Sequence, residues 1–203
     1  MIRLGRSHRD WVVGFQDETW WSRLAQPNLH SFSSVDAPLQ LEQKQLAKDD
    51  HDPKALACYG VLLRSQADAA DRLWLRFVDG RPLSSLTIAF LAWGSAKLAA
   101  EGKTAWLLIW DNATWHTSKQ VRTWVRTHNR QVKAGQVPGV RIVLCFLPRK
   151  SPWLNPIEPK WVHGKRRVLE ASRVLSADEI EQRVCATFGC PRESHLAISA
   201  SVS

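Results

Sequence analysis

The chain has 203 residues, of which 44% are apolar, so it can bury a substantial core and fits one domain better than two. Lysine and arginine number 28 against 19 acidic residues, and the formal net charge of +9 predicts a polyanionic partner, with nucleic acid the leading candidate. No apolar run approaches the roughly 20 residues of a membrane-spanning helix, and the N-terminus lacks the apolar core of a secretory signal. We therefore expect a cytoplasmic protein with four reduced cysteines rather than a disulfide framework.

The first part of the chain predicts three strands. The segment DWVVGFQDE predicts a short strand that ends at Asp17 and Glu18. Residues 55–64 and 72–82 predict two more strands, separated by the polar turn SQADAAD, so the three form an antiparallel meander. The alternating pattern of the third strand predicts that only one of its faces is buried. Residues 22–54 carry few signals, and we interpret them as a loop or a loosely structured insertion.

The middle of the chain predicts a helix and then a buried strand. Ser84 or Ser85 is expected to cap a helix that runs to about Ala100 and stops at Gly102. The segment KTAWLLIWD, which follows, predicts a strand buried on both faces. Because this strand comes after a crossover helix, we expect it to run parallel to a neighbouring strand.

The last part of the chain predicts three helices and one more strand. We expect a helix over 118–133, then the loop AGQVPG and the strand VRIVLCFLP. Another helix is expected from about Asn155, and a smaller one near Ser176 begins with the S-x-x-E pattern of a capping box. The sum is an α/β fold whose mixed central sheet, a meander followed by parallel strands, is flanked by helices. We expect residues 1–175 to form this domain and residues 176–203 to be a C-terminal helical extension and tail.

Acidic residues stand where predicted elements end or begin. Asp17 and Glu18 end one strand, Asp111 ends another, and Glu158 lies at the start of a helix in SPWLNPIEPKW. If the two strands are neighbours, these carboxylates meet, and carboxylates that close repel one another unless a cation lies between them. A hard divalent ion such as Mg²⁺ prefers oxygen ligands of this kind, and a pair of such ions serves phosphodiester chemistry.

Each acid also has an ordinary structural interpretation. Either acid of the first strand can simply end that strand at the surface, and strand alternation leaves open which of the two faces the site. Asp111 with Asn112 can form a turn, since both side chains bond readily to local backbone. Asn155 with Glu158 fits the capping box of a helix whose first turn suits the flanking prolines.

Three segments, FQDE, WDNATWH and SPWLNPIEPKW, occur in the order of the signature segments of the DDE superfamily of transposases. The chain most resembles the mariner-like branch found in bacterial insertion sequences, over roughly residues 10–170. The resemblance implies an RNase H-like fold and a catalytic, metal-binding triad of Asp17, Asp111 and Glu158, with Glu18 as a neighbour. It implies two Mg²⁺ ions, for which Mn²⁺ substitutes, and two-metal phosphoryl transfer. Water would attack at a transposon end, and the freed 3′ hydroxyl would then attack target DNA.

The resemblance also suggests supporting residues around the triad. Asn112 and His116 match recurrent positions near the second aspartate and can orient waters or phosphates, with packing or capping as the alternative. Asn155 is expected to shape the turn that presents Glu158.

The resemblance implies partners as well. They are double-stranded DNA, both transposon ends and target, and a second copy of the chain in an active homodimer associated with the bacterial nucleoid. Full-length relatives carry helix-turn-helix modules before the catalytic domain, whereas this chain begins 16 residues before Asp17. This leaves three interpretations open: a truncated remnant, a cropped piece of a longer protein, or the second half of a split or frameshifted gene, whose partner would be a separately encoded helix-turn-helix half. The alternative hypotheses are a catalytically silent DNA-binding or regulatory fragment and a general RNase H-like nuclease.

Two basic clusters predict contacts with DNA phosphates. One follows a single face of the helix over 118–133, and its members are spaced 3, 4, 4 and 3 residues apart: Lys119, Arg122, Arg126, Arg130 and Lys133. A solvated basic face is the alternative for this cluster. The other follows Glu158 and consists of Lys160, Lys165, Arg166 and Arg167. By helical spacing, Trp161 and Lys165 share the face of Glu158, so we expect a phosphate contact for Lys165 and packing for Trp161.

Overall fold

A five-stranded mixed sheet forms the centre of the protein in the computed structural model, which describes residues 8–26, 43–66, 68 and 70–197. The strands are β1 (Trp11–Ser22), β2 (Ala55–Arg64), β3 (Arg72–Val78), β4 (Ala105–Trp110) and β5 (Arg141–Phe146). Their order across the sheet is β3-β2-β1-β4-β5. The β1–β2 and β2–β3 pairs are antiparallel, whereas β4 runs parallel to both β1 and β5. The predicted meander and the predicted parallel strands are confirmed.

Helices cover both faces of this sheet. They are α1 (Ser84–Ala100), α2 (Thr114–Thr117), α3 (Lys119–Lys133), α4 (Glu158–Val168) and α5 (Ala177–Phe188), and a 3₁₀ turn spans Pro152–Leu154. Side chains of α1 and α3 share one apolar core with β4, and side chains of α4 and α5 share a second core on the other face. No helix in the described part of the chain is long and apolar enough to cross a membrane.

Strand β4 shows how the two cores are divided. All six of its residues are buried. Trp106 and Leu108 point into the core under α1 and α3, and Leu107 and Ile109 point into the core under α4 and α5. Because successive side chains of a strand lie on opposite faces, a strand covered on both sides must be apolar throughout. The predicted strand buried on both faces is confirmed.

Two strand predictions need correction. Strand β1 does not end at Asp17 but continues to Ser22, because its second half stays paired with β2, with Ser22 opposite Ala55. Strand β3 ends at Val78 and is buried on both faces rather than one. Leu75 and Phe77 pack in the core under α5, whereas the face of Trp74, Arg76 and Val78 is covered by Trp93 of α1 and by the chain near Leu196. The buried Arg76 donates from Nε to the Ser194 carbonyl at 2.8 Å.

Helix starts follow the predictions only in part. The N-cap of α1 is Leu83, which makes no side-chain cap bond, so the predicted serine cap is wrong. Ser118 caps α3 by accepting from the Val121 amide at 3.2 Å. The predicted capping box of α5 is confirmed, since Ser176 and Glu179 each accept from the other's backbone amide.

The remaining segments join the core in different ways. The apolar side of α5 packs into the same core as α4, through residues that include Ile180 and Val184. The division of the chain at residue 176 stays a prediction. Of the predicted insertion, residues 27–42 lie outside the described residues, and residues 43–54 contain neither helix nor strand. The cysteines are all free thiols.

Candidate active site

The parallel pairing of β1 and β4 brings two aspartates to one edge of the sheet. The last register pair is Phe15 with Ile109, and Asp17 and Asp111 each lie two residues further along. Helix α4 begins with Glu158. All three acids line a single open cavity of about 510 Å³. The structure therefore brings together the three residues that were predicted as a triad, although Asp17 stands within β1 rather than at its end.

Asp17 is held by a tryptophan of α4. The Trp161 indole donates from Nε1 to Asp17 Oδ2 at 2.9 Å. Burial, together with the negative charges of Glu158 and Glu18, raises the pKa of Asp17 to about 7. The packing role expected for Trp161 is also present, because its ring lies edge-on to Trp21 at 6.2 Å between centroids.

A glycine makes room for this tryptophan. Gly60 stands directly opposite Asp17 on β2. A Cβ atom at Gly60 would lie 2.3 Å from the Trp161 ring, which is far inside van der Waals contact. The absence of a side chain at Gly60 therefore lets the indole reach Asp17.

The carboxyl of Glu158 is influenced by one acidic and one basic side chain. Burial raises the pKa of its carboxyl, the charge of Asp111 raises it further, and the charge of Lys165 opposes the shift. Asp17, Glu158, Trp161 and Lys165 also line a second, shallower cavity of about 320 Å³. The side of α4 that carries Glu158 thus carries Lys165 as well, as the spacing predicted.

Asp111 is bound by a histidine of the short helix that follows β4. Asp111 Oδ1 accepts from the Ala113 amide at 2.9 Å and lies 2.7 Å from His116 Nδ1. His116 is fully buried, and its ring stacks on Trp110 with centroids 4.4 Å apart. Its other nitrogen, Nε2, lies 2.9 Å from Oε1 of Glu18.

The protonation of His116 follows from this double contact. Burial alone favours the neutral imidazole, but the charge of Glu18 and the hydrogen bonds to Asp111 and Glu18 outweigh it and raise the pKa of His116 to about 9. As an imidazolium, the ring donates from both nitrogens, one to each carboxylate. The bond from His116 in turn lowers the pKa of Asp111.

Sequence reasoning missed the part played by Glu18. Its side chain is only 7% exposed and accepts from Gln16 Nε2 at 2.8 Å and from Trp115 Nε1 at 3.2 Å, in addition to its contact with His116. Strand alternation directs Glu18 to the opposite face of the sheet from Asp17, so the two adjacent acids have different partners. One feature of the sequence could have indicated this role. Asp17 and Glu18 are adjacent acids in a strand that is covered on both faces, so each needs its own buried partner.

Two asparagines fasten the loops around the cavity. Asn112 Nδ2 donates to the Leu147 carbonyl at 2.7 Å, and Asn155 Nδ2 donates to the Gln16 carbonyl at 3.2 Å. The capping-box interpretation of Asn155 is wrong, because the N-cap of α4 is Ile157 and no side chain caps that helix. Asn155 Oδ1 is buried and accepts no hydrogen bond within the described residues, and its side chain lines the cavity.

The donor atoms of the cavity fit a hard divalent cation. Three carboxylates share it, two of them with pKa values raised partly by their neighbours' charges, and a cation would relieve that repulsion. Among the described residues, no three His, Cys, Asp or Glu side chains already stand close enough to hold one ion.

The basic residues fall into two separate surfaces. The five cations predicted on one helical face are all exposed on α3: Lys119, Arg122, Arg126, Arg130 and Lys133. The four predicted on α4 are exposed on the opposite side of the sheet: Lys160, Lys165, Arg166 and Arg167. Within the α4 set, Lys165 faces the carboxylates, whereas Lys160 and Arg167 line a different cavity beside Gly164 and Phe188.

Three solved structures of Mos1 transposase complexes have a fold similar to that of this chain. A Mos1 transposase paired-end complex with the left transposon end matches with a TM-score of 0.56 and 15% identity, over 90% of this chain and 48% of that chain. A pre-cleavage Mos1 transpososome matches with a TM-score of 0.56 and 14% identity, over 91% and 49%. A Mos1 mariner paired-end complex with Mn matches with a TM-score of 0.53 and 16% identity, over 89% and 48%. These matches show an RNase H-like fold, and the chain spans about half the length of the matched chains.

Sequence comparison identifies the family. No curated protein matches the chain significantly. Residues 66–181, more than half of the chain, match the DDE superfamily endonuclease family. The matched segment contains Asp111 and Glu158, whereas Asp17 precedes it. The chain belongs to the DDE superfamily of endonucleases.

Proposed function

We propose that the chain is the catalytic domain of a mariner-like transposase of a bacterial insertion sequence, which cuts and joins DNA by metal-dependent phosphoryl transfer. The observation that carries the proposal is the meeting of Asp17, Asp111 and Glu158 in one cavity at the edge of an RNase H-like sheet. Two of these acids belong to the segment that matches the endonuclease family. The similar structures hold transposon DNA, and one of them is a complex with Mn.

The three carboxylates would hold two Mg²⁺ ions, with Mn²⁺ as a substitute. Such ions, when bound, activate the attacking oxygen and stabilise the leaving oxygen of a phosphodiester. The residues of the chain set the positions of their own ligands. Trp161 holds one oxygen of Asp17, and His116, itself held by Glu18, holds one oxygen of Asp111. Within the described residues Oδ2 of Asp111 makes no hydrogen bond, which suits a role as a ligand.

The exposed cations would bind DNA phosphates. Lys165 stands beside Glu158 and is assigned to the strand that is cut, because its charge reaches the cavity. The cations of α3 lie on the other side of the sheet and are assigned to a separate stretch of duplex. Contacts of this kind are insensitive to base sequence and weaken with added salt. We further propose an active homodimer in the nucleoid and a separately encoded helix-turn-helix half that recognises the transposon ends.

The experiment compares wild type with Asp111→Asn on linear duplex DNA. In Mg²⁺ or Mn²⁺ we expect strand cleavage that leaves a 3′ hydroxyl. The variant should lose more than about 100-fold in rate, because even residues that only support a metal ligand contribute 10- to 100-fold. Asp49→Asn, an exposed acid away from the cavity, is the matched control and should cleave like wild type. Undiminished cleavage by Asp111→Asn would exclude the assignment. DNA binding without cleavage in either metal would instead favour the silent-fragment hypothesis.

A further inference from the structure

The connection between β5 and α4 forms one wall of the carboxylate cavity. We call residues 147–154 the lip. Leu147, Arg149, Lys150 and Ser151 are among the residues of the lip that line the cavity. The lip is fastened at its base, because the Leu147 amide donates to the Trp110 carbonyl at 2.8 Å and the Leu147 carbonyl accepts from Asn112 at 2.7 Å. The lip is therefore tied to the same segment that carries Asp111.

The middle of the lip presents two cations and a costly backbone conformation. Arg149 and Lys150 are exposed, and neither forms an ion pair with an acid in the described part of the chain. Lys150 has a φ of 57°, in the left-handed region that residues other than glycine rarely adopt. Strained conformations of this kind persist where the surrounding structure enforces them, and they cluster at binding and catalytic sites. Arg149 and Lys150 therefore place two positive charges, without acidic partners in the described part of the chain, at the rim of an acidic cavity.

The end of the lip exposes a tryptophan. Trp153 is 75% exposed, more than any other of the eleven tryptophans. It lies in a single 3₁₀ turn between Ser151 and Asn155, both of which line the cavity. The turn is closed by the Leu154 amide, which donates to the Ser151 carbonyl at 3.1 Å. A large indole left in water beside two free cations is the composition of a surface that binds single-stranded nucleic acid.

We propose that the lip binds an unpaired nucleotide of the DNA strand whose phosphate enters the cavity. The Trp153 indole stacks on the base, and Arg149 and Lys150 contact neighbouring phosphates. Bases inside a duplex are stacked on both faces, so only a base that has left the helix or lies at a frayed end can stack on an exposed ring. Stacking accepts any base, because every base has a π-face. The inference rests on the proposed function and extends it to the form of the substrate.

Photo-crosslinking tests this contact without metal and without catalysis. The 203-residue chain, in EDTA, is mixed with a forked duplex that carries 5-iodouracil at the unpaired position, and the adduct is located by mass spectrometry. We expect the adduct at Trp153. Trp153→Phe keeps an aromatic face and should retain the adduct, whereas Trp153→Leu keeps apolar surface only and should lose it. Trp20→Leu, which removes the other well-exposed tryptophan, should leave the adduct at Trp153 unchanged.

Binding affinity separates stacking from charge. Trp153→Leu should bind the fork about 5-fold or more weakly, in line with the effect of losing one stacked base, and should bind the fully paired duplex like wild type. The salt dependence of fork binding should be unchanged in Trp153→Leu but shallower by about 0.7 in Arg149→Gln, because one counterion fewer is released.

Three outcomes would overturn the inference. They are an adduct elsewhere in the chain, a Trp153→Leu variant that binds the fork like wild type, and a variant that loses self-association instead of fork affinity. The last would identify the lip as a contact between protein chains. In each case metal-dependent cleavage by wild type would leave the proposed function intact. Failure of wild type to bind either DNA would overturn both proposals.

Discussion

The buried charge of Asp17 provides a direct test of the electrostatics of the cavity. Asp17→Asn has nearly the same shape and still offers Trp161 an oxygen acceptor for the bond that Asp17 Oδ2 now accepts at 2.9 Å. The substitution therefore removes the charge and retains the contact. What changes is the repulsion and the burial cost that the ionised carboxylate experiences in the folded state.

The magnitude follows from the pKa of Asp17, which rises from 3.8 to about 7 on folding. A raised carboxyl pKa means that the ionised form is disfavoured in the folded chain, so stability falls as pH rises from about 4 to about 7 and is constant above that window. Three pKa units correspond to at most about 4 kcal/mol. Without divalent cations, Asp17→Asn should match wild type near pH 4 and exceed its stability above pH 7 by up to that amount.

Urea denaturation in EDTA at pH 4 and pH 8 measures this difference, and a Mg²⁺ titration at pH 8 adds the effect of metal. Mg²⁺ should stabilise wild type more than Asp17→Asn, since a ligand of the folded state alone raises its stability. Asp10→Asn is the matched control, and its effect on stability should have the opposite sign. The hydrogen bond from Thr104 lowers the pKa of Asp10, so the ionised carboxylate stabilises the folded chain. That variant should lose stability at pH 8. An Asp17→Asn variant no more stable than wild type at pH 8 in EDTA would refute the reasoning.

Three further predictions concern the surroundings of the triad. Glu18→Gln removes the negative charge that holds His116, and it should weaken Mn²⁺ binding about 10- to 100-fold. Calorimetric titration measures this affinity, and an affinity equal to that of wild type would contradict the prediction. Gly60→Ala forces a methyl group into the Trp161 ring and should lower the free energy of unfolding by about 1–3 kcal/mol, as measured by urea denaturation. An unchanged urea midpoint would show that the indole moves freely. Arg126→Gln should reduce the slope of log affinity for duplex DNA against log salt by about 0.9, and an unchanged slope would leave α3 a solvated surface.

Elements whose signals are local were predictable from the sequence. The basic and apolar faces of α3 repeat at helical spacing, Ser118 precedes its first turn, and the helix forms over Lys119–Lys133. Strand β4 is an uninterrupted apolar run, which is typical of a parallel strand covered on both sides. In each case, neighbouring residues along the chain determine the outcome, so no knowledge of the tertiary fold is required.

Elements that depend on distant contacts were not predictable in the same way. Strand β1 extends to Ser22 because β2 supplies backbone partners for its polar second half, and no local pattern records that partner. Strand β3 is buried on both faces because α5 covers Leu75 and Phe77 on one face, and α1 with the chain near Leu196 covers Trp74 and Val78 on the other. The N-cap of α4 is Ile157, and the Asn155 side chain donates to the Gln16 carbonyl on the distant strand β1 and does not cap the helix. Each difference arises where tertiary structure overrides a local preference.

The candidate site shows the same division within two adjacent residues of β1. The motifs predicted that Asp17 belongs with Asp111 and Glu158, but the role of Glu18 depends on its contact with His116, 98 residues away. One register determines both placements: it sets Asp17 opposite Gly60, where Trp161 has room to reach it, and turns Glu18 to the other face toward His116. A one-residue slip of β1 against β2 would exchange the two faces. The pairing of β1 with β2 therefore supports both aspartates, Asp17 through Trp161 and Asp111 through His116.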